Sequence, residues 1–118
     1  MIIAIDFDAI VEDEITNTLV PYVIDWIRIL ERVDCDLVIW TRDPHTSFKQ
    51  LLGALGDAGV NTHNIRTIHS DKDGVEADFF VDSNNPECPT IILYENSVVD
   101  WNVVGQKILS FVREQRNG

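Results

Sequence analysis

The chain has 118 residues, 45% hydrophobic and 25% charged, near the globular average, which excludes a disordered chain and leaves room for one domain with one core. A formal net charge of −11, from 20 acidic against 9 basic residues, leaves no basic stripe to track a phosphate backbone, so no direct nucleic-acid binding is expected. No run approaches the ~20 apolar residues of a membrane span, and the first apolar run lacks the length and basic flank of a signal peptide, so the expected setting is cytoplasmic with no membrane.

The first run, Ile2-Ile3-Ala4-Ile5, has the pattern of a short buried strand and stops at Asp6-Phe7-Asp8. The Asp-x-Asp spacing recurs at Asp34/Asp36 and Asp71/Asp73, so only the strand in front of Asp6 sets this pair apart. Ala9 to Thr18 is polar and acidic, with Glu12, Asp13 and Glu14, and reads as a loop or small flap. Leu19, Val23, Trp26, Ile27 and Leu30 then repeat at three and four residues and predict an amphipathic helix, with Thr18 as its cap and Pro21 in its first turn. Leu37-Val38-Ile39-Trp40 is a strand stopped by Thr41-Arg42-Asp43-Pro44. Phe48, Leu51, Leu52 and Leu55 mark a helix ending between Gly56 and Gly59.

Ile65 to Ile68 is a short strand, followed by the polar loop Ser70-Asp71-Lys72-Asp73-Gly74. Ala77 to Asp82 again runs apolar into an aspartate and is broken by Ser83-Asn84-Asn85-Pro86, with Asp78 read as a polar strand edge. Thr90 to Tyr94 is the last expected strand, and Trp101, Val104, Ile108 and Phe111 mark the inner face of a C-terminal helix. Trp26, Trp40 and Trp101 fall in apolar patterns and are read as packing. His45, His63 and His69 share no ligand spacing, and Cys35 and Cys88 form neither a metal motif nor a disulfide framework.

Strands alternating with helices predict an α/β fold over residues 1–118. The expected form is a Rossmann-like three-layer α/β/α sandwich whose mainly parallel central sheet is covered on both faces. Parallel strands all end on one edge, so Asp6 and Asp8, Thr41, and Asp82 are expected to converge there, where open α/β sheets bind ligands. Oxygen donors from two strand ends suit a hard cation such as Mg²⁺, with Asp6, Asp82 and a backbone carbonyl near Asp8 sufficient beside a substrate phosphate. A carboxylate can also attack phosphorus, with a second carboxylate as acid and base and a hydroxyl and an amine on the phosphoryl oxygens. Each residue also has a plainer role: Asp6 and Asp8 as caps of nearby amides, Asp82 as an Asx turn, Thr41 as a strand-end hydroxyl, Lys72 as a solvated loop charge.

Asp6-Phe7-Asp8, Trp40-Thr41-Arg42 and Phe80-Val81-Asp82, in this order and spacing from Ile2 to about Asn85, resemble motifs one, two and four of the haloacid-dehalogenase-like (HAD) phosphatases. The chain is most similar to their short, capless phage and bacterial members. The resemblance implies Asp6 as nucleophile, Asp8 as acid/base, Thr41 as the phosphate-binding hydroxyl, Asp82 with Asp6 and Asp8 at Mg²⁺, and Lys72, with Lys49 as alternative, as the family's lysine. It implies a phosphorylated small molecule or macromolecule as substrate. Two departures stand out: Ala9-Ile10 replaces the family's usual Gly-Thr or Gly-Val, and Ser83 takes the place where many relatives carry a second acid. These, with the charge of −11, support the rival expectation of a catalytically weak or inactive acidic protein that binds a protein partner.

Overall fold

Four of the apolar runs pair side by side in the computed structural model, which describes residues 1–117. The central sheet is all parallel and ordered β5-β4-β1-β6, from β1 (Ile2–Asp6), β4 (Asp36–Thr41), β5 (Ile65–His69) and β6 (Phe79–Val81). The chain moves outward from β1 through β4 to β5 and then crosses to β6 on the other side of β1, so the strand order reverses at the β1–β6 boundary. The register matters for the site: Asp6 lies opposite Trp40, and Ile5 opposite Val81. Thr41 therefore stands one residue beyond Asp6, and Asp82 is level with it.

Side-chain alternation divides the sheet into two faces. Ile3, Ile5, Leu37, Ile39, Ile65 and Val81 point into the main core, where they meet α1 (Val23–Arg32), α2 (Phe48–Asp57) and α3 (Trp101–Asn117). Ala4, Val38 and Trp40 point the other way and are covered by Val75 of the β5–β6 connection, with Ile2, Ala77 and Phe80 around them. Helical residues were expected on both faces; here all three helices contribute to one core, and a stretch of chain without an α-helix covers the second face.

The predicted helical faces are buried: Val23, Trp26, Ile27 and Leu30 on α1, Phe48, Leu51 and Leu55 on α2, and Trp101, Val104 and Ile108 on α3. Phe111 is half-buried against Phe79, their ring centroids 5.4 Å apart. Each tryptophan packs in the interior, as its pattern indicated. Trp26 lies over Gly105, where a Cβ would collide with its ring, and its Nε1–H donates to Asn102 Oδ1 at 3.1 Å, locking α1 to α3. Both α1 and α2 end in Schellman motifs. In α2 Gly59 takes the left-handed position at φ +87°, with Val60 N–H bonded to Leu55 O. In α1 the same position is held by Asp34 at φ +59°, with Cys35 N–H bonded to Leu30 O.

One expectation about local structure is corrected and another is refined. Thr18 does not cap α1: with Leu19 it forms β3 (Thr18–Leu19), which pairs antiparallel with β2 (Val11–Asp13) in the acidic flap. Its hydroxyl pairs with that of Thr16 at 2.6 Å, and α1 instead begins after Tyr22, left-handed at φ +67° and without a side-chain cap. Strand pairing claimed Thr18 before the helix began. Thr90 to Tyr94 is a strand as expected, but it stands outside the central sheet. β7 (Thr90–Leu93) forms a separate hairpin with β8 (Asn96–Val99), and the two turn residues Tyr94 and Glu95 both have positive φ, as a type I′ hairpin turn requires.

Cys35 is buried and Cys88 half-buried, and both are free thiols. No helix among the described residues is long and apolar enough to cross a membrane.

Candidate functional site

Asp6 is the last residue of β1 and the cap of a short 3₁₀ turn, Phe7–Ala9. Only 7% exposed, its carboxylate is held by three donors: Asp8 N–H on Oδ1 at 3.3 Å, and the N–H and hydroxyl of Ser83 on Oδ2. A buried carboxylate keeps its charge only with such partners. The turn that follows is fixed from the far end of the chain, because the buried indole of Trp101 donates to Ala9 O at 2.7 Å. Ala9 and Ile10 are buried and neither has a positive φ, so this turn forms without glycine.

Asp8 emerges from the turn into solvent, beside Asp6 and facing Glu14 and Asp43. Partial burial, then repulsion from Asp6, Glu14 and Asp43, raises its pKa above the ordinary carboxylate value. Thr41 closes β4, and its hydroxyl accepts from Asp43 N–H at 3.2 Å. Asp82 follows β6. Its Oδ1 accepts from Asn84 N–H at 3.0 Å, which is the Asx turn its sequence suggested, and its Oδ2 pairs with Lys72 Nζ at 3.3 Å. Lys72 begins a 3₁₀ turn on the β5–β6 connection and lies over the Phe80 ring, 5.3 Å from its centroid.

These residues share one cleft of about 270 Å³, lined by Asp6, Asp8, Thr41, Lys72 and Asp82 with Trp40, Arg42, Asp43 and Asn84. All five predicted site residues are thus brought together from four separate segments. Lys49, the alternative lysine, is exposed on α2 and does not line the cleft. Asp78 lies at the opposite end of the sheet, where Oδ2 accepts from Ile2 N–H at 2.7 Å and the Asp78 N–H donates to Ile2 O. His69 bonds through Nε2 to Thr46 O at 3.0 Å.

Three participants escaped the sequence reading. Ser83 counted there only as a missing acid, whereas it is a double donor to Asp6. The signal was available: if Asp82 is level with Asp6 in a parallel pair, the next residue reaches across β1. Arg42 and Asn84 line the cleft simply by following strand-end residues.

The donor set bears on a metal. Among the described residues no group of three or more His, Cys, Asp or Glu side chains is placed to hold an ion. A closed cage of the zinc or calcium kind does not fit. A cation that keeps its waters and takes only one or two carboxylates fits Asp6 and Asp82, which face the same cleft as hard oxygen donors. Its binding would compete with Lys72 for Asp82 and with Ser83 for Asp6.

Comparison with known proteins adds no relative: no family model, no curated protein and no solved structure matches this chain.

Proposed function

We propose that the protein is a phosphohydrolase or phosphotransferase of the HAD type, Mg²⁺-dependent and acting through an aspartyl-phosphate on Asp6. The observation that carries this reading is the convergence of Asp6, Asp8, Thr41, Lys72 and Asp82 in one cleft at the carboxyl edge of a parallel sheet. Within it, the four-stranded sheet is the core of a Rossmann-like sandwich without a cap, the Ser70–Asp78 connection taking the place of one helical layer.

In the first half-reaction an Asp6 oxygen attacks the phosphorus, and the bond from phosphorus to the ester oxygen breaks. Asp8 gives its proton to that oxygen. The raised pKa of Asp8 suits this task, since it keeps the proton to a higher pH than an ordinary carboxyl. Water then attacks the aspartyl-phosphate, Asp8 takes its proton, and inorganic phosphate leaves with Asp6 regenerated. The Thr41 hydroxyl and the Lys72 ammonium serve the equatorial phosphoryl oxygens, where transition-state charge collects. Mg²⁺, when bound, neutralises phosphoryl charge, and Asp6, Asp82 and the backbone carbonyl of Asp8 would hold it.

The test is release of phosphate from p-nitrophenyl phosphate with and without Mg²⁺, beside Asp6→Asn. The expected outcome is Mg²⁺-dependent turnover that falls by about 10³-fold or more in the variant. Equal, negligible turnover by both proteins across several phosphoesters would sink the assignment.

One observation favours a second reading. With Asp6 saturated by Ser83 and Asp8, and Asp82 paired with Lys72, the acidic groups are already satisfied within the protein. An acidic, catalytically silent domain that engages a basic protein partner would look the same. A partner captured at low salt and released as salt rises, with no turnover, selects this alternative.

A further inference from the structure

Asp8 and Asn84 line two depressions, not one. The second, about 330 Å³, lies on the far side of Asp8 from Lys72, between the acidic flap and the β7–β8 hairpin. Val11 and Val98 contribute its apolar surface; Glu12, Ser83, Asn84, Asn96 and Ser97 contribute the polar groups. The two sides differ in character. Both are lined by carboxylates, but Lys72 and Arg42 supply cations to the first depression, whereas the second has no cation to offset Asp8 and Glu12.

Resting on the phosphoryl-transfer reading above, we propose that this second depression is the leaving-group subsite and takes an uncharged polyhydroxylated alcohol, such as the sugar half of a sugar monophosphate. A phosphate ester has two halves, and the group that protonates the bridging oxygen must stand between them. Asp8 occupies that boundary: the phosphoryl half belongs with Thr41 and Lys72, so the alcohol half continues past Asp8. Its chemistry follows from the lining. The amides of Asn84 and Asn96 and the hydroxyl of Ser97 offer donors and acceptors together, and among the described residues Asn84 bonds only through its backbone N–H while none of these side chains is engaged in a hydrogen bond. A hydroxyl-rich ligand matches both kinds of group. No aromatic residue lines the depression, so it offers no face on which to stack a nucleobase. Glu12 and Asp8 repel a second phosphate.

The experiment compares kcat/KM for glucose 6-phosphate, AMP, fructose 1,6-bisphosphate and p-nitrophenyl phosphate in the wild type and in N96A/S97A. Glucose 6-phosphate is expected to exceed AMP and the bisphosphate by at least about tenfold. In N96A/S97A the ratio of glucose 6-phosphate to p-nitrophenyl phosphate is expected to fall by about tenfold, because hydroxyls lose their partners and the aryl group has none to lose. Ser97→Ala alone, which removes one of the two partners and leaves the hairpin backbone pairing intact, is expected to give a smaller fall in the same ratio if the double variant fails to fold. Calorimetric binding of glucose 6-phosphate to Asp6→Asn, weakened by the same substitutions, reads the subsite without turnover. A preference for AMP or the bisphosphate, or a ratio unchanged within about twofold, overturns the subsite while leaving phosphoryl transfer intact. A wild type inert toward every ester overturns both.

Discussion

Asp6 shows how a single buried carboxylate organises its neighbourhood. Three donors converge on it, two of them from Ser83, which is 77 residues away in sequence. Removing the hydroxyl leaves Asp6 buried with its Oδ2 short of a partner, and hydrogen bonds to charged groups are worth about 1.5–3 kcal/mol. Ser83→Ala is therefore expected to lower the unfolding free energy at pH 7 by about 2 kcal/mol in urea titration, with Ser83→Thr recovering most of it. Asp8 makes the opposite contribution. Its pKa is raised in the folded state, so folding binds its proton more tightly than the unfolded chain does, and stability is lost as pH rises through the folded pKa. Asp8→Asn is expected to stabilise the protein at pH 7, and the gain should vanish at pH values below the ordinary carboxylate range; thermal melts across pH 3–7 check the sign. At Asp34, left-handed at φ +59° in the C-terminal turn of α1, Asp34→Gly is expected to add about 0.5–1 kcal/mol, since glycine occupies this region without strain.

Among the elements, the α1–α3 contact has least tolerance. Gly105 lies within a 17-residue helix, where alanine would ordinarily be preferred by about 1 kcal/mol. The Trp26 ring fills the space a methyl would need. Gly105→Ala is thus expected to destabilise by about 1–3 kcal/mol despite its better helix propensity, and an equal or higher melting temperature would show that Trp26 can move aside. The helices and central strands were legible because their apolar periodicity is local and strong. The hairpin was not. Ile91 and Ile92 look like another buried strand, yet Ile92 is 75% exposed, and Asn96–Val99 pairs with them through a Tyr94-Glu95 turn that carries none of the usual Asn-Gly signal. The flap misled in a similar way: Thr18 carries a cap's side chain, but β2 offered its backbone a partner first.

Across the whole molecule, the charge of −11 penalises the compact state through self-repulsion. Salt should therefore raise the melting temperature between 20 and 150 mM NaCl, where the Debye length shortens from roughly 20 to 8 Å. Mg²⁺ at matched ionic strength should raise it further, because a ligand of the folded state alone adds RT ln(1 + [L]/Kd). Asp82→Asn should remove only that extra increment; no difference between Mg²⁺ and NaCl at equal ionic strength would count against a cation at Asp6 and Asp82.

The candidate cleft was largely readable in advance for a geometric reason. Once Ile2–Ile5, Leu37–Trp40 and Phe79–Val81 are parallel strands of one sheet, the residues that end them must share an edge, and Asp6, Asp8, Thr41 and Asp82 do. The amino-acid sequence by itself determined these runs and their polar stops, since alternation and chain direction are properties of neighbouring residues. Only the tertiary structure decided that Ser83 would hold Asp6, that Trp101 would fix Ala9, that one sheet face would be covered without an α-helix, and that a hairpin would wall a second depression beyond Asp8. Those outcomes depend on which segments meet after packing, and no local pattern of side chains encodes that.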